Sequence, residues 1–158
     1  MYFQIIPDDI FEMISVSIPS TCLKDGAVFY ILLVQNSISR TEWQCLRRYN
    51  EFDALHDQLV KEHSVAKNKL PKKKVIGNKS AQFIEQRQVQ LEAYLQYVLH
   101  FLAVQMPEAL VKFLDLHRYD KDFLLQSFAK HLFENGEKIM LKDGKQFNFY
   151  ALQVKVLL

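Results

Sequence analysis

Three observations in the sequence predict an α+β fold. Apolar residues alternate with polar ones near the N-terminus, short connections separate three such stretches, and the spacing becomes helical from Asn50 onward. Strands followed by helices do not give the βαβ order of a parallel sheet, and short connections select an antiparallel meander.

The first strand is predicted within residues 10–18, where Ile14, Val16 and Ile18 alternate with Ser15 and Ser17. Pro19, Ser20 and Asp25-Gly26 read as a turn or loop. Val28 to Val34 is an apolar run rich in β-branched and aromatic residues, the composition of a second strand. After the polar stretch Asn36 to Ser39, Glu42 to Tyr49 supplies a third strand with Trp43, Cys45 and Leu46. Phe52, Leu55, Leu59 and Val60 then fall at helical spacing, with Asn50 and Asp53 as a start signal. A lysine-rich loop with Pro71 and Gly77 follows. Ser80 caps a long second helix whose apolar face holds Phe83, Ile84, Leu91, Tyr94, Leu95, Val98, Leu99 and Leu102. Pro107 suits the first turn of a helix through Phe113 and Leu114. Asp120 to Glu134 is again helical, Gly136 stops it, and Lys142-Asp143-Gly144-Lys145 signals a hairpin.

A chain of 158 residues accommodates one domain plus a short extension, and 49% hydrophobic with 24% charged residues is the balance of a globular protein. Two distant cysteines, Cys22 and Cys45, make neither a disulfide scaffold nor a zinc module. No apolar run reaches the length of a membrane span, and the N-terminus lacks a signal-peptide pattern, so a soluble cytoplasmic protein is expected. The five histidines, 56, 63, 100, 117 and 131, lack ligand spacing and read as solvated or helix-surface residues. No Gly-rich phosphate loop, GxSxG or HExxH is present, so no enzyme, catalytic residue, cofactor or metal is expected.

The net charge of +2 is unevenly distributed. Residues 63–84 contain six lysines and no Asp or Glu, whereas the other 136 residues carry 14 basic and 18 acidic groups. One cationic segment on a mildly acidic body argues for a localised anionic partner and against nucleic acid. Arg47, Arg48 and Tyr49 end the third strand, Pro71 to Lys74 lie in the loop, and Arg87 is read on the polar side of the long helix. A guanidinium takes two phosphate oxygens at once, an aromatic ring stacks on an inositol face, and lysines attract an anionic membrane. Alternation along the strand does not choose between Arg47 and Arg48, which face opposite ways.

Arg47-Arg48-Tyr49-Asn50-Glu51-Phe52 resembles the RRYxEF signature of phox homology (PX) domains. Leu70 to Gly77 resembles their proline-containing loop, and Phe83 to Leu95 is similar to their FxxxRxxxLxxYL helix. Val111-Lys112-Phe113-Leu114 resembles the family's ending, so the resemblance covers about residues 10–118. It implies a PX domain over 8–118, a three-stranded antiparallel sheet packed against a helical subdomain, with residues 119–158 as an extension of helix and hairpin. It further implies phosphatidylinositol 3-phosphate as ligand and a sorting-nexin-like role in trafficking on the cytosolic face of early endosomes. By the same resemblance, Arg48 holds the 3-phosphate, Tyr49 lies against the inositol ring, Lys73 meets the 1-phosphate and Arg87 bonds the 4- and 5-hydroxyls. Lys72, Lys74, Val75 and Ile76 are then the membrane contacts. Where the family often carries a PxxP run, this chain has Pro71 followed by Lys72. The alternative is a PX-like module whose helices or extension hold a protein and whose lipid binding is incidental.

Overall fold

The computed structural model describes residues 14–37, 39–74, 80–102 and 106–120. Three strands, β1 (Ile14–Lys24), β2 (Ala27–Asn36) and β3 (Thr41–Arg48), form an antiparallel sheet in the order β1-β2-β3. The helices α1 (Tyr49–His63), α2 (Ala81–Phe101) and α3 (Glu108–Phe113) follow. The α+β meander read from the sequence is therefore the architecture. The chain divides into two units at Leu116, and the second opens with the short helix α4 (Leu116–Tyr119). Asp120, predicted to open a further helix, follows α4 without helical conformation; the rest of that predicted helix and the hairpin at Asp143-Gly144 lie outside the described residues.

One face of the sheet is apolar because alternate residues share it. Ile14, Val16 and Ile18 of β1, Tyr30, Leu32 and Val34 of β2, and Trp43 and Cys45 of β3 are all buried. Register aligns them, with Val34 opposite both Val16 and Trp43. Phe52 of α1 enters this layer fully buried, its ring edge-on to Tyr30 at 6.1 Å and to Phe113 at 5.0 Å.

The strand β1 runs through Pro19 and Ser20, where the sequence predicts a turn or loop. Proline is tolerated here because β1 is an edge strand and Ser17 to Ser20 is a bulge, with register jumping from Leu33 to Ile31 on β2. Bulging removes Ile18 from the ladder, and α2 satisfies its backbone instead. The Ile18 N–H donates to the Glu92 carboxylate at 2.6 Å, and the Gln88 amide donates to the Ile18 carbonyl at 2.7 Å. Gln88 and Glu92 stand one turn apart on α2, so a single helix face grips both groups of one residue. Glu92→Ala is expected to destabilise the protein by about 1–3 kcal/mol, the cost of an unmet buried donor, in urea unfolding. The exposed Gln90→Ala serves as the unchanged control.

Tyr49 belongs to α1 rather than to β3, and the N-cap position is Arg48, not Asn50. The reason lies in Glu51, whose carboxylate accepts from the Arg48 N–H at 2.8 Å and so ends the strand. Ser64, in the left-handed region at φ 58°, terminates α1. Ser80 caps α2 as expected, its hydroxyl accepting from the Phe83 N–H at 3.3 Å.

Candidate functional site

The end of β3 splits two adjacent cations between two tasks. Arg47 follows Trp43 and Cys45 on the inner face, where its Nε donates to the Phe113 carbonyl at 2.9 Å. Its guanidinium also pairs with Asp115 at 2.9 Å and lies over the Phe113 ring. With Trp43 Nε1 donating to the Leu114 carbonyl at 2.8 Å, two β3 side chains satisfy carbonyls at the C-terminal end of α3. Arg47 is thus a structural clip. Arg48 is exposed, and its guanidinium meets no carboxylate among the described residues.

Tyr49 opens α1 with its ring half-buried and its hydroxyl donating to the Pro71 carbonyl at 2.5 Å. Burial raises the Tyr49 phenol above its ordinary pKa, Asp53 raises it further, and Arg87 partly offsets both. Tyr30 is raised as well, first by burial, against a lowering effect of Arg87. Both phenols therefore remain neutral donors near neutral pH. Burial also pushes the Cys45 thiol up to about 11, which makes it an inert core residue.

The structure corrects the placement of Arg87. It does not lie on a polar side: it is 5% exposed and heads the buried line that continues through Leu91, Tyr94, Leu95 and Val98. Its guanidinium lies over the Tyr49 ring at 4.1 Å and the Phe83 ring at 4.3 Å, and it donates to the Lys72 carbonyl at 2.7 Å. Rings rather than carboxylates surround the charge, and Nε has no hydrogen-bond partner. Phe83, read as an ordinary apolar-face residue, is one wall of this arrangement. Its legible signal is the spacing of four residues to Arg87, which places side chains one above the other on a helix.

The loop supplies the remaining groups. Leu70 is buried, Lys72, Lys73 and Lys74 are exposed, and the Lys74 ammonium lies 4.6 Å from the centre of the Phe83 ring. Val75 and Ile76, read as membrane contacts, fall outside the described residues. Tyr49, Arg87 and the Pro71-Lys72 backbone are joined directly, which brings the three sequence motifs to one place; Arg48 and Lys73 are the chain neighbours of that cluster. An open groove of about 410 Å³ elsewhere, bordered by Arg47, Leu55, Lys112 and Phe113, includes none of the four predicted ligand residues. The Arg47 guanidinium at its border is already engaged by Phe113 and Asp115.

His56 departs from the solvated reading of the histidines. It is buried, with Nδ1 at 3.0 Å from the Tyr94 hydroxyl and Nε2 at 3.1 Å from the Lys67 carbonyl. Its sequence signal was its place beside Phe52, Leu55 and Leu59 on the inward face of α1. His100 and His117 are exposed, and His131 lies outside the described residues. Among the described residues no group of His, Cys, Asp or Glu is arranged to hold a metal ion, and no helix is long and apolar enough to cross a membrane.

Comparison with known proteins identifies the family. The family described as "PX domain" matches residues 35–117, more than half of the chain, and the chain belongs to that family. Such domains are phosphoinositide-binding modules of membrane trafficking rather than catalytic folds. The PX domain-containing protein kinase-like protein of Rattus norvegicus is 38% identical over 95 residues, 60% of this chain and 16% of that protein. Sorting nexin-13 of Homo sapiens is 31% identical over 104 residues, 64% of this chain and 10% of that protein. The chain thus spans a sixth or less of the length of these two relatives. The crystal structure of a designed CISK-PX domain superimposes with a TM-score of 0.57 at 31% identity, covering 63% of this chain and 97% of the other.

Proposed function

We propose that the protein recognises phosphatidylinositol 3-phosphate and so attaches to the cytosolic face of early endosomes, in membrane trafficking or protein sorting. The observation that carries the proposal is the buried Arg87 guanidinium, which lies against two aromatic rings with Nε unpartnered. Buried cations are ordinarily paired, and the polar hydroxyls and phosphates of an inositol headgroup supply what this one lacks. Arg48 then takes the 3-phosphate, Tyr49 faces the inositol ring, and Lys73 meets the 1-phosphate. Lys72 and Lys74 add about 1 kcal/mol each toward an anionic surface. Val75 and Ile76 are assigned to the bilayer interface. The lipid-binding domain is assigned to residues 8–118, and 119–158 to an extension that offers a place for a protein partner.

The test is sedimentation with phosphatidylcholine vesicles that each carry one phosphoinositide. The protein is expected to sediment most strongly with 3-phosphate vesicles. Arg48→Gln is expected to weaken that binding by roughly a hundredfold, the worth of a bidentate charged contact, at an unchanged thermal midpoint. Equal binding to every anionic vesicle, or wild-type binding by Arg48→Gln, overturns the proposal.

A further inference from the structure

The segment between α1 and α2 holds its path by backbone carbonyls that accept from side chains of the two helices. Tyr49 of α1 holds the Pro71 carbonyl and Arg87 of α2 holds the Lys72 carbonyl. A third carbonyl, that of Lys67, is held by His56. The first two donors belong to the lipid site itself. His56 does not, and nothing in the lipid-binding reading uses it.

We propose that His56 is a positioning residue for lipid recognition: it anchors the entrance of the cationic loop, and through the loop it sets where Lys72 and Lys73 stand. This inference rests on the lipid-binding reading above. The chemistry of the ring is determined by its neighbours. Nε2 faces a carbonyl, which only accepts, so Nε2 carries the proton. In the neutral ring Nδ1 then accepts from the Tyr94 hydroxyl, and burial raises that phenol's pKa, keeping it a donor. Tyr94 thereby selects the tautomer that points an N–H at the loop, as an outer partner orients a ligating histidine. The edge-on contact of the two rings, 5.4 Å between centroids, holds the imidazole plane in place.

From this anchor the chain has little freedom before the site. The Lys69 N–H donates to the Ala66 carbonyl at 3.1 Å, and the Lys69 ammonium lies 4.5 Å from the centre of the Tyr97 ring. Leu70 is then buried, and Pro71 and Lys72 are caught by Tyr49 and Arg87. Releasing Lys67 frees the entrance while leaving the far end attached. The consequence is a wider spread of loop positions, and binding bears the cost of narrowing it.

The test compares His56→Gln with His56→Asn in the full chain. Glutamine is long enough to present an N–H where Nε2 now stands, whereas asparagine stops near Nδ1. Both remain polar and close in volume, and His56→Ala is added as the complete truncation. Affinity for a soluble short-chain phosphatidylinositol 3-phosphate is measured by calorimetry, well below each variant's thermal midpoint. Amide hydrogen exchange over residues 66–74 is recorded without ligand. Expected is about a tenfold loss for His56→Asn, the scale of one hydrogen bond, with faster exchange in the loop. His56→Gln is expected to recover most of both. Should His56→Ala fail to fold, the Gln and Asn pair still decides. Affinity and exchange that are equal in His56→Gln and His56→Asn overturn the positioning role while leaving the lipid site standing. A wild-type protein without affinity for the 3-phosphate headgroup overturns the lipid reading, and this inference with it.

Discussion

Arg87→Met is expected to remove headgroup binding, by roughly a hundredfold or more, while leaving the thermal midpoint close to that of the wild type. The binding loss follows from charge-assisted hydrogen bonds worth about 1.5–3 kcal/mol each, of which a guanidinium makes two to neighbouring hydroxyls. The near-neutral stability follows from what surrounds the side chain. Arg87 is buried against Tyr49 and Phe83, and no carboxylate among the described residues compensates its charge. Methionine fills much of the same volume and needs no countercharge, and replacing a buried charge by an apolar side chain is often neutral or stabilising. The Lys72 carbonyl loses its donor, but that hydrogen bond is only partly buried, so water is expected to take the place of the guanidinium. Arg87→Lys is expected to lose binding as well, because an ammonium lacks the planar fork. Vesicle sedimentation paired with a thermal melt reads both halves. A large fall in midpoint with the loss of binding would mean that Arg87 is chiefly structural.

Phe52→Ala is expected to act in the opposite way, costing about 3–5 kcal/mol of stability as a large buried ring is removed. Phe52 is fully buried and touches Tyr30 and Phe113 edge-on, so the cavity opens between sheet and helices. The same vacancy lies below the β3–α1 junction that presents Arg48 and Tyr49. Urea unfolding is the measurement, and a cost under about 1 kcal/mol would show that the surrounding side chains collapse to fill the space.

The sheet and helices were legible because their apolar periodicities are strong. The interruptions were not, because each depends on residues far along the chain. Pro19 reads as a turn until Gln88 and Glu92 are seen holding Ile18. Arg47 and Arg48 are equivalent until Phe113 and Asp115 claim the first of them. The motif resemblance selected Arg48, Tyr49, Lys73 and Arg87 as ligand residues, and the structure joins Tyr49 and Arg87 through the loop backbone. It did not convey that Arg87 is buried. A cation on a helix is placed by default on the wet side, and the Tyr49 ring, 38 positions earlier in the numbering, joins Phe83 in turning that place into an aromatic slot. His56 was hidden for the same reason: its partners come from α2 and from the loop.

The loop's attachment by carbonyls has a consequence for how the protein can be altered. Every amino acid carries the same carbonyl, so the grips on residues 67, 71 and 72 ignore the side chains at those positions. The loop's shape is thereby separated from its chemistry. The lysine at 72 is exchangeable for a neutral, acidic or aromatic residue without rebuilding the scaffold beneath it. The charge that the loop shows to a membrane is then adjustable by drift or by engineering, while the aromatic slot around Arg87 keeps its form.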